Sequence, residues 1–81
     1  MAFMNQYTVD AKRMLCPMPV IRTQNKVNEL KKGDIVHVIC TDPGATNDIP
    51  AWCRINGHKV LGIVTEDNEI TITVEVNGLE C

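Results

Sequence analysis

Cys16 is followed directly by Pro17, Met18 and Pro19, and the residues after them recur at helical spacing. Proline suits the first turn of a helix, because its missing N–H would have no partner there and its fixed φ is already helical. The stretch predicts a helix start with Cys16 at the N-cap, Pro17 at N1, Met18 at N2 and Pro19 at N3. A sulfur in that place sits in the positive end of the helix dipole, which favours thiolate over thiol. The prolines limit the gain, because N1 and N3 cannot donate and the Met18 N–H is the main donor left to the sulfur. The expected outcome is an activated cysteine with a moderately lowered pKa, starting from a free-thiol value of about 8.5.

Three positions after Cys16, where a dithiol redox site would place its second cysteine, stands Pro19. With no resolving thiol nearby, a sulfur atom loaded on Cys16 would not be expelled at once by disulfide formation. That chemistry suits a carrier of persulfide sulfur better than an electron shuttle. Two other readings stay open. In one, Cys16 is a structural helix cap in a protein-interaction module. In the other, Cys16 pairs with Cys40 or Cys53 in redox chemistry, which needs Cα atoms within about 7 Å.

The four cysteines, Cys16, Cys40, Cys53 and Cys81, are widely spaced, with no C-x-x-C pair and no histidine at ligand spacing. Neither a disulfide framework nor a metal site is expected from that pattern. A net charge of −2 and a pI near 5.5 lack the electrostatic footprint of a nucleic-acid binder, so no direct nucleic-acid contact is expected. No apolar run approaches the roughly 18 residues of a membrane span. The start, Met1-Ala2-Phe3-Met4-Asn5-Gln6, has neither a basic nor an apolar export region, so a cytoplasmic location is expected. The 81 residues, 44% hydrophobic, are expected to form one domain, with 77–81 as a loose tail and Cys81 exposed.

The elements that must position Cys16 follow from periodicity. Residues 6–10 read as a short strand, and 11–15 connect it to the cysteine. From 17 to about 32, Val20, Thr23, Val27 and Leu30 form a helical stripe, closed by Lys31-Lys32-Gly33. Residues 34–40 are apolar enough for a central strand, with His37 on the face opposite Val36 and Val38. After the turn Thr41-Asp42-Pro43-Gly44, Thr46 reads as the N-cap of a helix over 47–56, with Asp48 complementing the dipole, Pro50 near the start and Gly57 ending it. Ile49, Trp52 and Cys53 share a face, which makes Cys53 a core thiol. Strands over 59–66 and 69–76 flank the two-residue turn Asp67-Asn68. The order β-α-β-α-β-β predicts an α+β fold, a two-layer sandwich with two helices on one face of a four-stranded mixed sheet.

Two stretches carry a resemblance to the TusA family of sulfur-carrier proteins, also called SirA-like. Cys16-Pro17-Met18-Pro19 resembles the family's C-P-x-P. The run from Asp42 through Asp48-Ile49-Pro50 to Trp52-Cys53 resembles its D-P-x-T-x-x-D-I-P-x-aromatic-C segment, and Asp10-Ala11 stands at the usual distance before the cysteine. The resemblance covers about residues 6–77. It implies a cytoplasmic relay carrier rather than a multiple-turnover enzyme, with catalytic Cys16 holding the sulfur covalently and no other cofactor. It also implies a donor, a rhodanese or cysteine desulfurase, and an acceptor of the DsrE/TusBCD type or a disulfide-reductase-like complex. The pathways so implied are tRNA thiolation and sulfur oxidation. The implied fold, like that of the C-terminal domain of translation initiation factor three, agrees with the pattern. Pro17, Met18 and Pro19 would support the motif, and Asp42 and Asp48 would help partner docking, although each also makes sense as a turn residue or a first-turn acid. Arg13-Met14 stand where the family usually has Gly-Leu, Met18 where tRNA-pathway members often have Glu, and Asn47 where a basic residue is frequent. These departures fall near the implied docking surface and bear on the choice of partner. Met18 and Asn47 lean toward oxidative sulfur metabolism.

Overall fold

The computed structural model describes residues 5–15 and 17–77. The elements run β1 (Gln6–Ala11), α1 (Met18–Val27), β2 (Ile35–Cys40), α2 (Ala45–Asn56), β3 (Lys59–Glu66) and β4 (Glu69–Glu75). The sheet order is β1-β2-β4-β3. β1 pairs parallel with β2, and β4 pairs antiparallel with both β2 and β3. A parallel pair cannot be joined by a tight turn, so α1 supplies the crossover, whereas Asp67-Asn68 suffices between β3 and β4. This is the α+β two-layer sandwich with a mixed sheet that the pattern predicts.

Alternation decides which face of the sheet is covered. Val36, Val38 and Cys40 on β2 and Ile70, Ile72 and Val74 on β4 are buried, while their neighbours His37, Ile39, Thr71 and Thr73 remain half-exposed. Against the buried face lie Pro19, Thr23 and Val27 of α1 and Ala45, Ile49 and Cys53 of α2. Thr23 is tolerated there because its hydroxyl donates to the Pro19 carbonyl at 2.8 Å. His37 is held on the open face between Thr73 Oγ1 at 3.1 Å and Gln6 Oε1 at 2.9 Å.

Helix ends depart from the sequence expectation in three places. α1 stops at Val27, not near 32, because its last turn tightens: the N–H groups of Glu29 and Leu30 reach back only three residues, to Lys26 and Val27. The Lys31-Lys32-Gly33 signal belongs to a separate turn, in which the Lys31 N–H donates to the Asp34 carboxylate at 3.0 Å and Gly33 takes φ 94°. α2 begins at Ala45 with Gly44 as N-cap, two residues before the expected start, so Thr46 lies inside and donates to the Pro43 carbonyl at 2.7 Å. Pro50 therefore falls in the helix interior and has no N–H to offer the Thr46 carbonyl. The turn between β3 and β4 has φ 51° at Asp67 and 65° at Asn68, the positive pair that a two-residue hairpin of the type I′ class requires.

The far end of the sheet is latched by a histidine that the periodicity did not single out. His58 is buried, its ring stacks on Trp52 with centroids 5.0 Å apart, and its Nδ1 accepts the Asn77 N–H at 2.9 Å. Asn77 is thus held to the body rather than opening the loose tail; 78–81, with Cys81, lie outside the described residues. Burial holds the His58 pKa below its ordinary 6.5. The unfolded chain then binds a proton that the folded ring resists, so this stabilisation is complete above pH 6.5 and is lost as the pH falls through 6.5 toward the folded value. The denaturation midpoint should drop over that window, and His58→Gln should flatten the dependence. An unchanged slope in the variant would show that the latch does not titrate.

Candidate functional site

The parallel register pairs Ala11 with Cys40 at the C-terminal ends of β1 and β2. The chain leaves both strands at the same end of the sheet, so the loop carrying the C-P-x-P motif and the loop carrying Asp42 emerge side by side. One bond ties them: the Arg13 N–H donates to Thr41 Oγ1 at 2.9 Å. Arg13 reaches it with φ 64°, a left-handed conformation in which a non-glycine residue is strained. Upstream, the Lys12 N–H donates to Asp10 Oδ1 at 3.0 Å, which braces the exit from β1.

Cys16 itself lies outside the described residues, and its surroundings define the place. Pro17 is the N-cap of α1, Met18 occupies N1 and Pro19 N2. The frame is one residue later than the sequence suggested, because the Met18 N–H closes back on the Leu15 carbonyl at 2.9 Å, spanning position 16. The amide expected to serve the Cys16 sulfur is therefore already engaged. Pro19 has no donor, and the Ile21 N–H goes to the Pro17 carbonyl at 3.1 Å. Pro19 is buried and anchors the first turn in the core, whereas Pro17 is exposed.

Around the motif the surface is apolar with a cationic rim. Leu15 is 76% exposed, and Met18 and Ile21 are also largely open. Lys12, Arg13 and Arg22 are exposed as well. Residues 11–28 carry Lys12, Arg13, Arg22 and Lys26 and no carboxylate, in a chain whose net charge is −2. Carboxylates lie close by in space: Asp10 and Glu69 line one surface depression with Lys12 and Arg13, and Lys26 pairs with Glu29 at 3.9 Å. Sequence reasoning passed over this surface by following the buried stripe; the three-residue steps from Leu15 to Met18 to Ile21, off that stripe, were the available signal.

Asp42 and Asp48 stand on the adjoining loop and helix. Asp42 Oδ1 accepts the Gly44 N–H at 3.0 Å and its carbonyl accepts the Ala45 N–H at 3.0 Å, so it shapes the turn into α2. Asp48 lies in the first turn of α2, where its charge complements the dipole. The antiparallel pairing of Cys40 with Ile70 brings the β3–β4 hairpin tip to this same end of the molecule. Its exposed Glu66, Asp67 and Glu69 bring carboxylates to this end, and Glu69 lines one surface depression with Asp10, Lys12 and Arg13.

The remaining described thiols are placed for packing. Cys40 is buried, its Sγ–H points to the Ile70 carbonyl at 3.6 Å, and burial, with the Asp42 charge second, pushes its pKa up. Cys53 is buried and desolvation raises its pKa to about 11. Both stay protonated at neutral pH and are poor nucleophiles.

A family model described as "Sulfurtransferase TusA" matches residues 7–76. The chain is 49% identical over 53 residues to the putative sulfur carrier protein YrkI of Bacillus subtilis, covering 65% of this chain and 71% of that one. It is 35% identical over 72 residues to a putative sulfur carrier protein of Neisseria meningitidis, covering 89% of this chain and 97% of that one. Among solved structures, a SirA-like protein from Desulfitobacterium hafniense superposes with a TM-score of 0.78 at 25% identity, over 85% of this chain and 95% of its own.

Two measurements check the site. In the native chain near neutral pH, Cys40 and Cys53 should resist an aromatic disulfide reagent and react only on unfolding; rapid reaction of either would contradict their burial. Thr41→Val removes the acceptor of the Arg13 N–H and should cost about 0.5–1.5 kcal/mol. It should also speed hydrogen exchange at the Arg13 amide, and unchanged exchange would show that the two loops are not tied there.

Proposed function

The chain belongs to the TusA sulfurtransferase family of sulfur carriers, and on that premise we propose that Cys16 is the residue that carries the sulfur. The Cys16 thiolate attacks the outer sulfur of a donor persulfide, forming Cys16–S–SH and releasing the donor thiolate. An acceptor thiolate then attacks the outer sulfur of Cys16–S–SH, and Cys16 leaves as thiolate. Each step exchanges one S–S bond for another, so no external oxidant, metal or organic cofactor takes part; the sulfur is cargo. The chain acts as a relay between two proteins rather than as a multiple-turnover enzyme.

What supports Cys16 is a contrast among the thiols. It stands in the C-P-x-P motif beside exposed apolar side chains, while Cys40 and Cys53 are buried with raised pKa values. Pro17 and Pro19 keep a second thiol out of the first turn and fix the helix start. The structural-cap alternative is weakened, because the N-cap position is Pro17. The donor is a rhodanese or a cysteine desulfurase, and the acceptor is a DsrE-type or disulfide-reductase-like protein. Leu15, Met18 and Ile21 offer the apolar centre of the docking face, and Lys12, Arg13 and Arg22 its rim, with Asp42 and Asp48 on the adjoining side. Met18 in place of an acid leaves this face without negative charge at the helix start, which favours an acceptor of sulfur oxidation over one of tRNA thiolation. The cytoplasm, where thiols stay reduced, suits this chemistry, and no described helix is long and apolar enough to cross a membrane.

Incubation with thiosulfate and a rhodanese, or with cysteine and a cysteine desulfurase, should add mass in steps of about 32 Da, one per sulfur. Cys16→Ser should abolish the gain, and Cys40→Ser and Cys53→Ser should keep it. A gain that survives Cys16→Ser would refute the assignment.

A further inference from the structure

The two edges of the sheet are built differently. β1 exposes Gln6, Thr8 and Asp10 along one edge. β3, at the other, is eight residues long and exposed from Leu61 through Glu66, with Val64 60% exposed and Leu61 and Ile63 also largely open. Among the described residues nothing pairs with its outer backbone row, and an open apolar edge is a template for another strand. Its charges are placed unevenly. Lys59 stands opposite Glu75, but at the other end Glu66 stands directly opposite Glu69, a like-charge pair that is unfavourable.

We propose that β3 pairs with β3 of a second copy of this chain, antiparallel, about a two-fold axis at Ile63, to make one eight-stranded sheet. A two-fold axis normal to the sheet leaves each face on its own side, so paired residues must share a face. The β3–β4 register puts Val60, Ile63 and Thr65 on the face of Val74, Ile72 and Ile70, and Lys59, Gly62, Val64 and Glu66 on the other. With Ile63 opposite Ile63, Val64 faces the Leu61-Gly62 bulge of the other copy, Val60 faces Thr65, and Lys59 faces Glu66. The bulge between Val60 and Gly62 makes this register possible. Without that extra residue Lys59 would fall opposite Asp67, beyond the strand. Each copy's Lys59 thus lands beside the other's Glu66, where Glu66 and Glu69 repel within the monomer. That complementarity selects a second copy over an arbitrary extended segment. Because β1 and β3 are opposite edges, the pairing leaves the loop after β1, with the motif, uncovered in both copies.

Sedimentation equilibrium of the full chain, under reductant so that disulfide-linked pairs do not form, tests this. The mass should rise from 9.0 kDa toward twice that value. The rise should fall between about 10 µM and 1 mM, the range for a small interface. Glu66→Lys and Lys59→Glu should each weaken association about five- to tenfold, because each replaces two opposite-charge contacts with like-charge ones. The double exchange Lys59→Glu with Glu66→Lys restores both contacts and should recover the wild-type constant, with circular dichroism confirming the fold of each variant. A 9.0 kDa species at every concentration would overturn the proposal. So would a dimer indifferent to both single variants, or a double exchange no tighter than the singles. A chain that stays monomeric while its β3 edge captures an extended segment of another protein would also overturn it.

Discussion

The parallel pairing of β1 with β2 is the constraint on which the site depends. It ends both strands at one level, with Ala11 against Cys40, and so delivers two loops distant in sequence to the same end of the sheet. Everything attributed to the site stands on that coincidence of ends. The Arg13–Thr41 bond then fixes the spacing of the loops at the cost of a left-handed residue, and both helices begin beside them. A single antiparallel hairpin in place of the βαβ unit would have joined the two strands by a turn and left no helix start next to the cysteine loop.

Burial sorts the thiols. Cys40 faces the helices from a central strand and Cys53 faces the sheet from α2, so both lie where desolvation keeps a proton on sulfur. The surface that adjoins the motif has the opposite character. Leu15, Met18 and Ile21 are exposed there, beside the cations Lys12, Arg13 and Arg22. Among the described residues, neither buried thiol is placed to close a disulfide at the surface and eject the cargo of the proposed carrier.

Much of this was legible in the sequence because strand alternation and hairpin chemistry are local. Ile70, Ile72 and Val74 announced the buried face, and Asp67-Asn68 announced the hairpin. Helix ends were misread because side-chain and backbone bonds from outside the helices set them. Asp34 captures the Lys31 amide and makes a turn of what looked like a helix terminus, and Gly44, not Thr46, opens α2. The frame at the motif slipped by one residue for the same reason: the Leu15 carbonyl takes the Met18 amide. The Arg13–Thr41 tie joins residues 28 positions apart, and the His58 latch holds Asn77 across 19, and no local pattern reveals such bonds. The family-level reading survived these slips because it rested on residue identities, not on the cap geometry first assigned to them.

The most direct test of the account is the rate at which a sulfur-loaded chain releases sulfide when no acceptor is present, measured for the wild type and for Met18→Cys, a substitution at an exposed position of the motif. The thiol introduced by that substitution would attack the inner sulfur of Cys16–S–SH, close a disulfide with Cys16 and free hydrogen sulfide. The wild type, lacking that thiol, should hold its sulfur at least about tenfold longer and give it up on addition of an acceptor thiol. Equal rates of release from the two proteins would contradict the claim that Cys16 keeps its cargo because no neighbouring thiol can displace it.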